Sequence, residues 1–314
     1  MKYLKLGNTD DQLSVIGAGL MGMSPNVYGE TDDNESIQVI NRAKDLGVNY
    51  FDTADAYGNG HNEKLLAKAL GNARKEVFIA SKVGYGKNWQ YMGEKPEYIK
   101  QAAEESLKRL NTDYIDLYYI HAVDPNVPIE ESVGAIAELI KEGKVRHIGL
   151  SNGTTPEILK RANDVYPISA VQLEYNLWSR KPEEEIFPMA KSMGITPVAY
   201  SPFSRGIISN KIRKYDDLAE DDIRHFFPRY QPDVFQKNTD NINKIEDIAN
   251  SKGVSVPQLS LAWVIRQGAL PIPGTKHIRY LEENLKAADI EISDHEMSLL
   301  DEIAHNNKLY GQNL

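Results

Sequence analysis

Short apolar runs alternate along this chain with segments whose apolar residues recur at helical spacing, and the alternation continues to its end. Eight runs read as strands, at residues 14–18, 49–52, 77–82, 115–121, 147–151, 170–173, 196–200 and 270–272. Most are apolar throughout rather than alternating, as parallel strands covered on both faces are. Between them, Val133, Ile136, Ala137 and Ile140 follow a helical stripe that Gly143 stops. Leu65, Leu66, Ala69 and Leu70 form another, ended by Gly71. Thr155 before Pro156 and Glu157 reads as an N-cap with proline at the first helical position. Val256-Pro257 opens a helix carrying Leu259, Ala262, Trp263 and Ile265.

Eight strand–helix units predict an α/β fold of the (β/α)8 TIM-barrel type, with residues 1–314 forming a single domain. Residues 1–13 add an N-terminal β-hairpin that turns at Gly7-Asn8-Thr9-Asp10. The rhythm breaks once. Residues 203–237, charged and proline-containing, are expected to form a long loop after strand 7, of the kind used as lids or binding loops. Gly17-Ala18-Gly19-Leu20-Met21-Gly22 spells G-x-G-x-x-G, but the next helical pattern begins only near Asp33. These glycines therefore do not open a helix, and a tight loop at a strand end is expected rather than a dinucleotide fingerprint.

Composition narrows the function classes. With 41% hydrophobic and 26% charged residues, the 314-residue chain is ordinary globular protein. No run of about 18 apolar residues suggests a membrane span, and the N-terminus does not read as a signal peptide. Cysteine is absent, which rules out disulfides and thiolate metal sites. These features point to the cytoplasm, with no metal and no membrane partner expected. A net charge of -9 argues against nucleic acid as a partner, while leaving room for a local phosphate site.

In a barrel, the C-terminal ends of the strands converge on the active-site face. Reading those positions gives Asp52, Lys82 and His121, with Tyr57 five residues beyond Asp52. Carbonyl reduction needs such a set, because hydride addition builds negative charge on an oxygen that must then receive a proton. A tyrosine phenol ordinarily titrates at about 10, which makes it a poor acid at neutral pH. A nearby Lys82 ammonium is expected to lower that value, and Asp52 to fix the lysine. His121 could donate a hydrogen bond to the oxygen. Each residue alone has an ordinary structural reading, such as a turn, a surface charge or a cap; their shared location shifts the balance.

Phe51-Asp52-Thr53-Ala54-Asp55-Ala56-Tyr57-Gly58 with His61-Asn62-Glu63 resembles the first signature of the aldo-keto reductase family. Ile79-Ala80-Ser81-Lys82, Tyr118-Tyr119-Ile120-His121, Ile148-Gly149-Leu150-Ser151-Asn152 and Tyr200-Ser201-Pro202 follow in the family's order. Pro271-Ile272-Pro273-Gly274-Thr275-Lys276 and Leu281-Glu282-Glu283-Asn284 complete the match. The Gly22-Met23-Ser24 and Trp178-Ser179-Arg180 segments resemble a bacterial and plant branch acting on aldehydes and aryl ketones. The resemblance implies an NADP(H)-dependent reductase of aldehydes or ketones, with Tyr57 as proton donor, Lys82 and Asp52 tuning it, and His121 orienting the substrate.

It further implies that Ser151, Asn152 and Gln172 hold the carboxamide and that Tyr200 stacks on the nicotinamide. Ser201, Pro202, Arg205 and Gly206 would run along the pyrophosphate. Gly274, Thr275 and Lys276 would meet the 2′-phosphate, with Glu283 and Asn284 near the adenine. Gly274-Thr275-Lys276 also stands just before a predicted helix, offering N–H groups, a hydroxyl and a cation to an anion, with Arg279 nearby. Two departures stand out. Phe203-Ser204-Arg205-Gly206 replaces the common Leu-Gly-Arg-Gly, and Ala122 replaces an arginine after His121.

Met23, Tyr85 and Trp89 are candidate substrate-lining residues, suggesting a small, partly apolar or aromatic carbonyl or alcohol. Family members also act as redox-sensing regulatory subunits, an alternative that needs a partner interface no motif here supplies. A Schiff-base lyase using Lys82 is a second alternative, opposed by the neighbouring Asp52. Substrate, direction and oligomeric state are not encoded in these patterns.

Overall fold

The computed structural model describes residues 1–306 apart from 26, 29, 87–88, 210–214 and 219–221. Strands β1 (Tyr3–Lys5) and β2 (Gln12–Ser14) form an antiparallel hairpin. Eight further strands form one parallel sheet in chain order: β3 (Ala18–Gly19), β4 (Tyr50–Asp52), β5 (Phe78–Val83), β6 (Ile115–Ala122), β7 (Val145–Asn152), β8 (Ile168–Glu174), β9 (Thr196–Tyr200) and β10 (Leu270–Pro271). Helices α1 (Asp33–Asp45), α2 (His61–Leu70), α3 (Pro96–Leu110), α4 (Ile129–Lys141), α5 (Pro156–Val165) and α6 (Ile186–Ser192) alternate with them. After β9 come α7 (Pro232–Ser251) and α8 (Val256–Arg266), and after β10 come α9 (Ile278–Leu285) and α10 (Asp294–Asn306).

Two expectations shift at their edges. The run at 14–18 is split, its first residue pairing in the hairpin and its last in the barrel. The sheet curls until its ends meet, where the Gly17 and Gly19 amides donate to the Pro271 and Pro273 carbonyls at 3.0 and 3.2 Å. A Cβ on Gly19 would lie 2.6 Å from the Ile272 carbonyl oxygen, and one on Gly17 2.4 Å from the Tyr50 ring. The G-x-G pair therefore exists for close strand approach at the seam.

The stretch at 203–237 is not all loop, because α7 begins at Pro232 and 3-10 turns cover Ser204–Ser209, Tyr215–Asp217, Ile223–Phe226 and Pro228–Tyr230. Its residues 210–214 and 219–221 lie outside the described residues. Helix α7 escaped notice because Asn238 and Asn241 occupy buried positions on its inward face beside Phe235, Ile242 and Ile245. Local cap chemistry agrees with the sequence elsewhere. Thr155 accepts from the Ile158 amide, and Ser255 and Gln258 close a capping box on α8.

Candidate active site

The four residues expected at the strand ends come together. Asp52 ends β4, Lys82 lies near the end of β5 and His121 near the end of β6, so the ladder itself sets their spacing. Tyr57 is carried by the turn between β4 and α2, where Gly58, Asn59 and Gly60 all have positive φ. That turn is braced from below. Asn62 accepts from the Thr53 hydroxyl at 2.7 Å and donates to the Leu20 carbonyl and the Ser24 hydroxyl, both at 2.8 Å. Glu63 accepts from Ser81 at 2.6 Å and from Arg109 at 2.5 Å, fastening α2 to β5 and α3. The asparagine-glutamate part of the signature, Asn62 and Glu63, thus braces the turn that carries Tyr57.

Lys82 is wholly buried and donates to Asp52, to the Thr53 carbonyl at 2.8 Å and to the Tyr57 hydroxyl at 3.1 Å. The other Asp52 oxygen accepts from the Gln172 amide at 2.8 Å. Burial pushes the Asp52 carboxyl up and the Lys82 ammonium down from their ordinary values, and the ion pair between them opposes both shifts. Burial, reinforced by Asp52, holds the Tyr57 phenol well above its ordinary range. The lysine was expected to lower it; here desolvation outweighs the ammonium, and the phenol keeps its proton at neutral pH. Burial and the Lys82 charge pull the His121 imidazole well below its usual value, so the ring is neutral. Its Nδ1 is buried with no partner among the described residues.

A cavity of about 900 Å³ opens above these groups. Its lining includes Asp52, Tyr57 and His121; Lys82 lies behind Tyr57 rather than on the wall. At the same end stand Ser151, Asn152, Gln172 and Tyr200, whose hydroxyl donates to Asn152 at 2.9 Å. The wall continues through Ser201, Pro202, Arg205 and Gly206 to Gly274, Thr275, Lys276, Glu283 and Asn284. Every residue expected to hold a nucleotide therefore borders one space. Lys276 donates to the Tyr28 and Glu30 carbonyls at 3.0 and 2.7 Å. Arg205 stacks on Phe227 with its guanidinium 4.3 Å from the ring centroid, and its buried Nε has no partner among the described residues.

This donor set fits a phosphorylated dinucleotide. Amide and hydroxyl groups lie beside Tyr57, an arginine with an unspent donor sits midway, and a hydroxyl and an ammonium stand at the far end. A cavity of this size suits a large cofactor. Among the described residues, no cluster of His, Asp or Glu is placed to hold a metal ion.

The sequence reading missed Tyr28, Arg224, Glu246, Asn250 and Ser255, which also line the cavity. Ser255 stands one residue before the helix opening read at Val256-Pro257, and the others lie where no element was read. Of the candidate substrate residues, Trp89 reaches the cavity and packs 5.8 Å from the Tyr57 ring, with a left-handed φ of 59°. Tyr85 stands behind it, edge-on to His121 at 5.0 Å. Met23 is core.

A parallel barrel with this tyrosine, lysine, aspartate and histidine at the mouth of a dinucleotide-sized cleft defines a carbonyl oxidoreductase architecture. The chain belongs to the aldo/keto reductase family, whose profile matches residues 15–305. It is 39% identical over 318 residues to the NADP(+) aldo-keto reductase yakc of Schizosaccharomyces pombe, covering 98% of this chain and 92% of that one. A probable aldo-keto reductase of Glycine max is 39% identical over 300 residues, covering 94% and 86%. The solved glycerol dehydrogenase of Gluconobacter oxydans superposes with a TM-score of 0.88 at 28% identity, over 97% of this chain and 95% of that one. No described helix is long and apolar enough to cross a membrane.

Proposed function

We propose that this protein, as one barrel domain, uses NADPH to reduce a small aldehyde or ketone to the alcohol, with Tyr57 transferring the proton. The observation that carries this reading is the Lys82 ammonium, buried between Asp52 and the Tyr57 hydroxyl at the foot of the cavity. NADPH supplies the hydride to the carbonyl carbon when bound. The carbonyl oxygen then gains charge and takes the Tyr57 proton, and the phenolate left behind is compensated by Lys82 and reprotonated from solvent. The high phenol pKa serves reduction by keeping the acid loaded. A neutral His121 fits a hydrogen-bond donor that orients the carbonyl without adding a second charge. Thr275 and Lys276 at the far end of the cleft favour NADP over NAD, in keeping with the name of the Schizosaccharomyces pombe relative. The aromatic Trp89 beside Tyr57 favours a partly apolar or aromatic substrate.

The test is a titration with NADPH and NADH, followed by turnover of 4-nitrobenzaldehyde by the native protein and by Tyr57→Phe. The expected result is tighter NADPH binding, with Tyr57→Phe binding cofactor normally and turning over at least about tenfold slower. A Tyr57→Phe protein as active as the native one overturns the role of Tyr57, and the absence of binding by either nucleotide overturns the whole reading.

A further inference from the structure

Glu174 ends β8 in register with Tyr200 of β9, at the C-terminal mouth of the barrel. It follows Gln172 by two residues and so leaves the same face of the strand, yet Gln172 borders the cavity and Glu174 stands behind its wall. Both of its oxygens meet polar groups. Oε1 accepts from the Ser179 hydroxyl at 2.9 Å and from Arg229 at 3.3 Å. Oε2 faces a second guanidinium, with Nη2 of Arg205 3.8 Å away. Ser179, from the Trp178-Ser179-Arg180 segment, thus fixes a carboxylate between two arginines.

Three arginines stand along this stretch, and they differ. Arg224 is engaged by Asp222, which takes its Nε at 2.9 Å and its Nη2 at 2.6 Å. Arg229 is buried, and a buried guanidinium needs the counter-charge that Oε1 gives it. That need leaves the approach of Oε2 to Arg205 unexplained. Arg205 borders the cavity, has a buried Nε with no partner among the described residues, and meets Glu174 only beyond hydrogen-bond distance. A phosphate oxygen at an ordinary contact of about 2.8 Å would hold Arg205 more strongly than this carboxylate does. The three arginines against Asp222 and Glu174 leave one surplus positive charge here, and neutralising Glu174 would leave two.

We propose that Glu174 is an internal counter-anion that limits how tightly the cleft holds NADP(H): its outer oxygen competes with the pyrophosphate for Arg205, which speeds departure of the oxidised cofactor. This rests on the reading that NADP(H) lies along the cleft with its pyrophosphate at Arg205. Glu174 itself touches neither cofactor nor substrate in this scheme.

The experiment compares Glu174→Gln, Arg205→Ala and the double variant with the native protein. Glutamine keeps an oxygen for Ser179 and Arg229 and removes the charge. The measured quantities are melting temperature, Kd for NADPH and NADP+, the NADP+ dissociation rate and the single-turnover rate with 4-nitrobenzaldehyde, at about 0.05 M and about 0.5 M salt. Glu174→Gln is expected to tighten both nucleotides roughly three- to tenfold at low salt and to slow NADP+ dissociation by a similar factor. The gain should shrink at high salt, and the single-turnover rate should change less than about twofold. Arg205→Ala should weaken NADPH about tenfold, and in that background Glu174→Gln should move Kd by less than about twofold. A folded Glu174→Gln protein with native or weaker affinity overturns the proposal, since Glu174 then only supports Arg229. A tightening that persists without Arg205 also overturns it. If Glu174→Gln does not fold, Glu174→Asp, which keeps the charge and shortens its reach toward Arg205, decides by the same criteria with a smaller expected gain. Failure of the underlying reading is separately visible, because Arg205→Ala would then bind NADPH as the native protein does.

Discussion

Asp52, Lys82 and His121 sit on three consecutive strands, where the β4–β5–β6 ladder sets their separations. Arg205 and Arg224, midway along the same cavity, hang from 3-10 turns between β9 and α7. There Ser201, Ser204 and Arg205 hold left-handed φ values of 50°, 48° and 60°. Such backbone persists only when its surroundings over-determine it. One buried residue does much of this. Asn176 accepts from the Ser204 hydroxyl at 2.8 Å and from the Trp178 and Ser179 amides at 3.1 and 3.0 Å, and donates to the Ser201 carbonyl at 3.1 Å. The proposed catalytic end is thus built by register, and the proposed phosphate end by side-chain hydrogen bonds between loops. Chemistry and cofactor affinity should be separable by mutation along that line.

The largest effect is expected at the catalytic end. Lys82→Met removes the only cation bonded to Asp52 among the described residues and leaves a buried carboxylate uncompensated. It should abolish measurable turnover and destabilise the fold by roughly 3–5 kcal/mol in a denaturant titration. Adding Asp52→Leu should restore much of that stability and none of the activity. If the single variant is as stable as the native protein, the pair is not the structural unit its burial implies.

The same contrast governs what the sequence could disclose. Asp52, Lys82 and His121 were legible because an apolar run that ends in a charged or aromatic residue marks a strand end, and strand ends share a face. Tyr57 was legible through its motif, whereas its supports Asn62 and Glu63 gave no sign of which carbonyls and cations they would meet. Arg224 and Glu246 were not legible. Their positions depend on contacts between segments, and the inward Asn238 and Asn241 interrupt the apolar stripe in the first half of α7, between Phe235 and Ile242. Gly17 and Gly19 were read as a tight loop at a strand end, but barrel closure against Pro271 and Pro273 is a long-range fact with no local signature.

A smaller effect is expected at the phosphate end. Asn176→Ala unfastens the strained turn at 201–205 without touching Asp52, Lys82 or Tyr57. It should cost roughly 2 kcal/mol of stability and weaken NADPH binding about tenfold, while kcat at saturating NADPH changes less than about twofold. Fluorescence titration and steady-state kinetics separate the two. A variant with native NADPH affinity and a depressed kcat would reverse the proposed division of labour.

The smallest effect tests whether the catalytic face is uniformly rigid. Glu94 ends the loop carrying Tyr85 and Trp89 and is fully buried. One of its oxygens accepts from the Asp124 amide at 2.6 Å, and the other has no partner among the described residues. Burial, with the nearby Asp124 carboxylate adding to it, pushes Glu94 up to about 7, whereas a glutamate in unfolded chain titrates at about 4.3. A folded-state value above the unfolded one means that the contribution of Glu94 to stability is fully present in acid and is lost as the pH rises through about 7. Glu94→Gln keeps the amide contact and removes the titration. Its melting temperature relative to the native protein should therefore rise by a few degrees between about pH 5 and about pH 8, corresponding to on the order of 2 kcal/mol. A difference that stays constant with pH would mean that Glu94 is charged and satisfied throughout, and that this loop is held as firmly as the strands beneath it.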